Sequence, residues 1–220
     1  MQIRFLSSWT MRLVAINFSI FILFNLISVV ISTIQLQPFE QVFSNLIKFI
    51  ALQPSTFLSM PWTIITSMFM HGGSFHILAN MFSLLFIGGF LERIIGKKRF
   101  IWIYIISGLA GSLLYILNFY LTGTGDIMAV GASGAIFGLG GMLAIITPKM
   151  PVYIMFIPIA MPMWIGIILS LTLLWFLSIT AGLPIGNLAH LGGLIVGVGY
   201  ALYLRKKYKR RFDMISHYFR

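Results

Sequence analysis

The sequence predicts an all-α membrane protein: a bundle of six transmembrane helices with a long first loop lying in the interface. Three observations carry this prediction. The 220 residues are 59% apolar and only 9% charged, with a mean hydropathy of +0.99. A soluble domain carries roughly a quarter charged residues, so this chain could not cover a soluble surface. The apolar residues also fall into runs near the ~20 residues that cross a hydrocarbon core. Finally, the lysines and arginines cluster beside those runs, where topology determinants sit.

The expected spans, taken in order, are about 13–33, 75–92, 100–121, 131–147, 162–179 and 187–204. The fourth is rich in glycine (Gly131, Gly134, Gly138, Gly140, Gly141) and only moderately hydrophobic, which suits a central helix packed on all sides. The stretch Met150 to Thr180 is longer than one span and holds Pro151, Pro158 and Pro162. Residues 151–161 therefore read as an extended segment at the membrane edge. Pro162 follows in the first turn of the fifth helix, where its missing N–H costs least. Residues 34–70 are too interrupted to span and read as an interfacial loop with short amphipathic helices. The chain divides into a short N-terminus (1–12), a six-helix core (13–204) and a basic tail (205–220).

Orientation follows from the charges. With the N-terminus cytoplasmic, Arg4, Arg12, Arg93, Lys97, Lys98, Arg99, Lys149 and the seven Lys/Arg of the tail are inside, and only Lys48 is outside. That is fourteen of fifteen, so both termini are expected in the cytoplasm. The net charge of +11 points to anionic lipid headgroups at the polybasic tail, and no nucleic-acid partner is expected. With no cysteine, disulfides, Cys-ligated zinc and a Cys nucleophile are excluded. Neither cofactor nor metal is expected.

Polar residues inside a span are costly and need a partner or a task. Ser133 lies sixteen residues before Lys149, His190 fifteen before Arg205, and Asn80 thirteen before Arg93. At 1.5 Å per residue those separations are about 24, 22 and 20 Å, with His76 at about 25 Å. Three helices thus bring a serine, two histidines and an asparagine to one depth. His76 and Asn80, four apart, share a helix face. This set permits acyl transfer. Serine needs an adjacent base, and His190 is the choice. An oxyanion needs preorganised donors, which Asn80, His76 and the Ser133 N–H can supply. No acid stands in the outer half of any span, so a Ser–His dyad is the natural reading. Taken alone, Gly131-Ala132-Ser133-Gly134 is more simply a packing face, His190 is as much structural as functional, and His76 with Asn80 could be an interhelical hydrogen-bond pair; the coincidence of depth favours catalysis.

Gly131-x-Ser133-Gly134, His190-x-x-Gly193-x-x-x-Gly197 and His76-x-x-x-Asn80 resemble the signatures of rhomboid intramembrane serine proteases, over about residues 60 to 204. The resemblance implies a rhomboid-like bundle that cleaves transmembrane segments of membrane-protein substrates near the outer face, in a cell membrane of prokaryotic type. It implies Ser133 as nucleophile and His190 as general base, with His76 and Asn80 at the oxyanion. His71 would support the first loop, and Glu92 would tie the second span to its neighbours. Many members carry Trp-Arg in that loop, where this chain has Trp62-Thr63. The alternative is a transporter or a non-proteolytic relative of the same fold. Against it, the chain keeps both serine and histidine and shows no internal repeat.

Overall fold

The computed structural model describes residues 8–154 and 157–219; Arg4 and Arg220, counted among the charges above, lie outside them. The long helices are α1 (Trp9–Gln35), α3 (Ser74–Ile95), α4 (Lys97–Thr122), α6 (Met163–Thr180) and α7 (Asn187–Lys207). These five are long and apolar enough to cross a bilayer. Helix α5 (Ser133–Ile146) is the sixth member of the bundle, apolar but only 14 residues long. At 1.5 Å per residue it reaches about 21 Å, because the chain before Ser133 is a loop rather than a further helical turn. Eleven of its residues are buried, which makes it the central helix.

Helix α3 is not uniform. A π-turn at Leu84–Gly88 separates the part carrying His76 and Asn80 from the part carrying Glu92. Glu92 accepts from the backbone N–H groups of Trp9 (2.8 Å) and Thr10 (2.9 Å) and from the Thr10 hydroxyl (2.8 Å). A carboxylate thereby satisfies donors that the start of α1 leaves open.

In the first loop, α2 (Phe39–Ile47) buries Val42 and Ile47, and Phe43 meets Phe24 of α1 edge-on at 5.1 Å. Side chains then tie the loop to its own backbone. Trp62 Nε1 donates to the Phe49 carbonyl (2.9 Å), Thr66 Oγ1 to that of Ile50 (2.8 Å) and Thr63 Oγ1 to that of Met60 (2.7 Å). Thr63, which follows Trp62 in this loop, is buried.

The extended stretch between α5 and α6 is an antiparallel hairpin of β1 (Pro151–Ile154) and β2 (Ile157–Pro162), with Pro151 opposite Pro162 and Val152 opposite Met161. Prolines cannot donate within a helix, so this segment pairs as strands. Pro162 keeps an extended ψ of 141° and precedes α6 as its N-cap rather than joining the first turn. After α7, helix α8 (Lys209–His217) turns back onto the bundle and buries Phe212 in the main core.

Glycine governs how α5 and α7 meet. A Cβ at Gly193 would overlap the Gly134 carbonyl, and one at Gly197 would overlap the Gly138 carbonyl. The two contacts lie four residues apart on each helix, so the helices run parallel with backbone against backbone. Helix α4 joins on the other side: a Cβ at Gly192 would lie 2.8 Å from the Ala110 carbonyl oxygen. Small residues permit this approach, and in a bilayer close packing rather than the hydrophobic effect holds helices together.

Candidate active site

Ser133 is the first residue of α5, and His190 lies in the first turn of α7. The glycine seam begins at Gly134, directly after Ser133, and at Gly193, three residues after His190, so it sets the distance between the two side chains. His190 Nε2 and Ser133 Oγ are 2.7 Å apart, a hydrogen bond between residues 57 apart in sequence. His190 is buried and its Nδ1 makes no hydrogen bond among the described residues. Phe137, one turn after Ser133, stacks on the imidazole at 4.7 Å between ring centroids and 24° between planes. This face of the ring is therefore fixed by packing rather than by an acid. Sequence reasoning missed Phe137, although its i+4 spacing from Ser133 puts it on the serine's face.

Gly131 has φ of +122°, which favours glycine. The missing side chain matters as much: a Cβ there would lie 2.8 Å from His76 Nε2. The His76 ring thus rests against the backbone that leads into Ser133. His71 is fully buried and meets His76 edge-on, with centroids 5.0 Å apart. Burial, with the neighbouring His76 adding to it, pushes the His71 pKa down from 6.5 to about 3. Asn80 is nearly buried, and its Nδ2 donates to the carbonyl of His76 at 2.9 Å. Ser133 thus meets His190, His76 rests against the residue two before Ser133, and His71 meets His76; Asn80 sits one turn along α3 from His76. Glu92 lies at the other end of α3 from His76, against the start of α1. Gly134, Gly193 and Gly197 form the seam.

The loop entering α5 is held by the first loop. Leu52 and Ala129 exchange backbone hydrogen bonds at 3.0 and 2.8 Å, and Gly131 N–H donates to the Ser67 carbonyl at 2.9 Å. Asp126 accepts from the Ser55 N–H (2.9 Å) and the Gln53 amide (3.3 Å). Desolvation opposes this, but the hydrogen bonds from Ser55 and Gln53 together hold its carboxyl below the usual range. The first N–H groups of a helix have no intrahelical acceptor. At α5 those groups belong to Ser133 and its successors, beside the serine hydroxyl. Among the described residues no group of three or more His, Asp or Glu could hold a metal ion.

The fold and this pair of side chains define a class: a multi-pass membrane protein with a serine–histidine contact between two central helices. The comparisons name it, and the chain belongs to the rhomboid family: the rhomboid domain model matches residues 58–207. The chain is similar to RHOMBOID-like protein 5 of Arabidopsis thaliana, 38% identical over 152 residues, covering 67% of this chain and 46% of that one. It is 42% identical over 81 residues to YdcA of Bacillus subtilis (strain 168), provisionally named a rhomboid protease, covering 37% of this chain and 39% of that one. It is also 36% identical over 93 residues to Inactive RHOMBOID-like protein 8 of Arabidopsis thaliana, covering 42% of this chain and 25% of that one. The chain spans less than half the length of each of these curated relatives. They come from a plant and a bacterium, and so give no preference to the prokaryotic membrane expected above.

Proposed function

We propose that this protein is an intramembrane serine endopeptidase acting through a Ser133–His190 dyad. One observation carries the reading: the 2.7 Å contact between Ser133 Oγ and His190 Nε2, made between membrane helices that glycine holds in register. A structural serine in a membrane helix more often bonds its own backbone carbonyl.

In the proposed reaction the Ser133 oxygen attacks the carbonyl carbon of a peptide bond, and its proton passes to His190 Nε2. For this Nε2 must be the acceptor, so Nδ1 carries the ring's own hydrogen. The oxyanion is met by the Ser133 N–H at the start of α5, by the His76 ring and by the Asn80 amide. The second amide hydrogen of Asn80 serves here, since the first is engaged with the His76 carbonyl. The imidazolium returns its proton to the leaving amine, and the peptide bond breaks. A water molecule, deprotonated by His190, then attacks the acyl-enzyme and releases the new carboxyl terminus.

Substrates are transmembrane proteins whose helix unwinds readily near its outer end, since a helical carbonyl is already hydrogen-bonded and shielded. Gly and Pro lower the cost of unwinding. His71 supports the first loop where it leads into α3 and His76. Both termini lie in the cytoplasm, and the basic tail meets anionic headgroups. The test is a cleavage assay with the purified protein and a single-span model substrate. Wild type should cleave and be labelled by a fluorophosphonate, whereas Ser133→Ala should do neither. Equal cleavage by the two proteins would end the proposal.

A further inference from the structure

The end of the molecule away from Ser133 carries a charged surface that the proposed chemistry does not use. Residues 93–99 hold four cations and residues 205–211 hold six, ten of the chain's fifteen. The two segments converge. Arg99 donates to the Tyr208 hydroxyl (3.2 Å), and its guanidinium lies 5.3 Å from that ring's centroid. Arg211 donates to the Ile94 carbonyl (2.8 Å), and Lys207 to the Tyr203 hydroxyl (3.1 Å). Lys206, Lys207, Lys209, Arg210 and Arg211 line an open hollow around Tyr208. Opposing charge is scarce: Asp213 lies 3.9 Å from Arg205, and Glu92 is committed to α1. Cations held together in this way repel one another unless an anion joins them.

The surroundings identify the anion. Leu202 and Tyr203 on α7, Met214 on α8 and Tyr218 just after it expose their apolar bodies. A soluble anion would leave those side chains uncovered, whereas the acyl chains of a lipid would cover them. We infer that the turn at Tyr208, between α7 and α8, is a headgroup site for one anionic phospholipid. Its phosphodiester sits among Lys206, Lys207, Lys209 and Arg210, and its chains run along Leu202 and Tyr203. The inference locates the headgroup contact proposed above, and rests on it.

Native mass spectrometry of the full chain in detergent tests this. The probes are an equal mixture of dioleoylphosphatidylglycerol and dioleoylphosphatidylcholine, and separately millimolar inorganic phosphate. Wild type should retain phosphatidylglycerol preferentially. Each basic residue near a membrane surface contributes appreciably to anionic lipid affinity, so the triple variant Lys206→Gln/Lys207→Gln/Lys209→Gln should lose about tenfold of that preference. Lys48→Gln should lose none, and inorganic phosphate should not displace the lipid. Fluorophosphonate labelling of Ser133 should be unchanged in the triple variant, showing that it folds. Undiminished preference in that variant overturns the site, as does displacement by phosphate, which would make it a site for a free anion. Equal loss in Arg93→Gln/Lys97→Gln/Lys98→Gln overturns the site but leaves the general headgroup attraction standing. Absence of any preference in wild type overturns both.

Discussion

Helices α5 and α7 meet backbone to backbone, whereas α6 meets the bundle through side chains near its start. On α6 only Met163, Gly166 and Ile167 are buried, and Ile168, Phe176 and Ile179 are among its exposed residues. The difference shows where a membrane fold concentrates its precision. Contacts between glycines leave no side chain that could shift to absorb an error, so the spacing of Ser133 and His190 is fixed. The attachment of α6 rests on a few side chains, which can shift without disturbing that pair.

The largest expected effect lies at the end of the seam itself. Ser133→Ala and His190→Ala should each lower turnover by about 10⁴–10⁶, as loss of a nucleophile or its base does in serine hydrolases. Insertion and thermal stability should be retained. Measurable wild-type turnover in either variant would remove the dyad from the comparison.

The same substitution made in both regions sharpens it. Gly197→Ala forces a methyl group against the Gly138 carbonyl and should destabilise by about 1–3 kcal/mol, with turnover falling because Ser133 and His190 move apart. Gly166→Ala meets a methyl of Val152 at 2.6 Å and Met161 Cγ at an ordinary 3.8 Å, and the Val152 side chain can turn aside. Its cost should stay under about 1 kcal/mol. Thermal unfolding in one detergent measures both, and equal costs would erase the distinction.

The first loop should respond to acid. Burial, with His76 beside it, holds the His71 pKa at about 3 in the folded protein, against 6.5 ordinarily. The unfolded form therefore binds a proton that the folded form does not. The stability of this region is complete above about pH 6.5 and declines as the pH falls toward about 3. Limited proteolysis of residues 36–73 across that range should show it, and His71→Gln should flatten the profile.

The smallest effect concerns Asn80. Loss of one oxyanion donor typically costs about 10²–10³ in turnover. Here the Ser133 N–H and His76 remain, and one Asn80 hydrogen is held by its own helix. Asn80→Ala should keep measurable activity with KM nearly unchanged, and His76→Ala should be more severe. A raised KM with intact kcat would make Asn80 a binding or packing residue.

These regions also differ in how well the sequence announces them. A serine, a histidine and regularly spaced glycines stand out in an apolar run because each is costly or conspicuous there. The six-membered bundle and the depth of Ser133 and His190 were therefore legible. The ties of the first loop were not, because their acceptors are the carbonyls of Phe49, Ile50 and Ser67, and a carbonyl carries no residue signature. Phe137 is one of twenty phenylalanines, and only its distance from Ser133 marks it. The hairpin was legible as extended chain from its prolines, but its pairing was not, since the pleat alternation is blurred where Val152 and Ile154 fall out of register.

Glu92 has a consequence for the order in which the molecule is assembled. The start of α1 has no acid of its own in its first turn, and the carboxylate that completes it lies 82 and 83 residues further along the chain. Synthesis delivers α1 to the bilayer before Glu92 exists. The Ser8 hydroxyl can cap Met11 from the outset, but the N–H groups of Trp9 and Thr10 gain their carboxylate only when Glu92 has followed in the chain. The start of α1 is thus completed by a residue of the spanning helix that follows it.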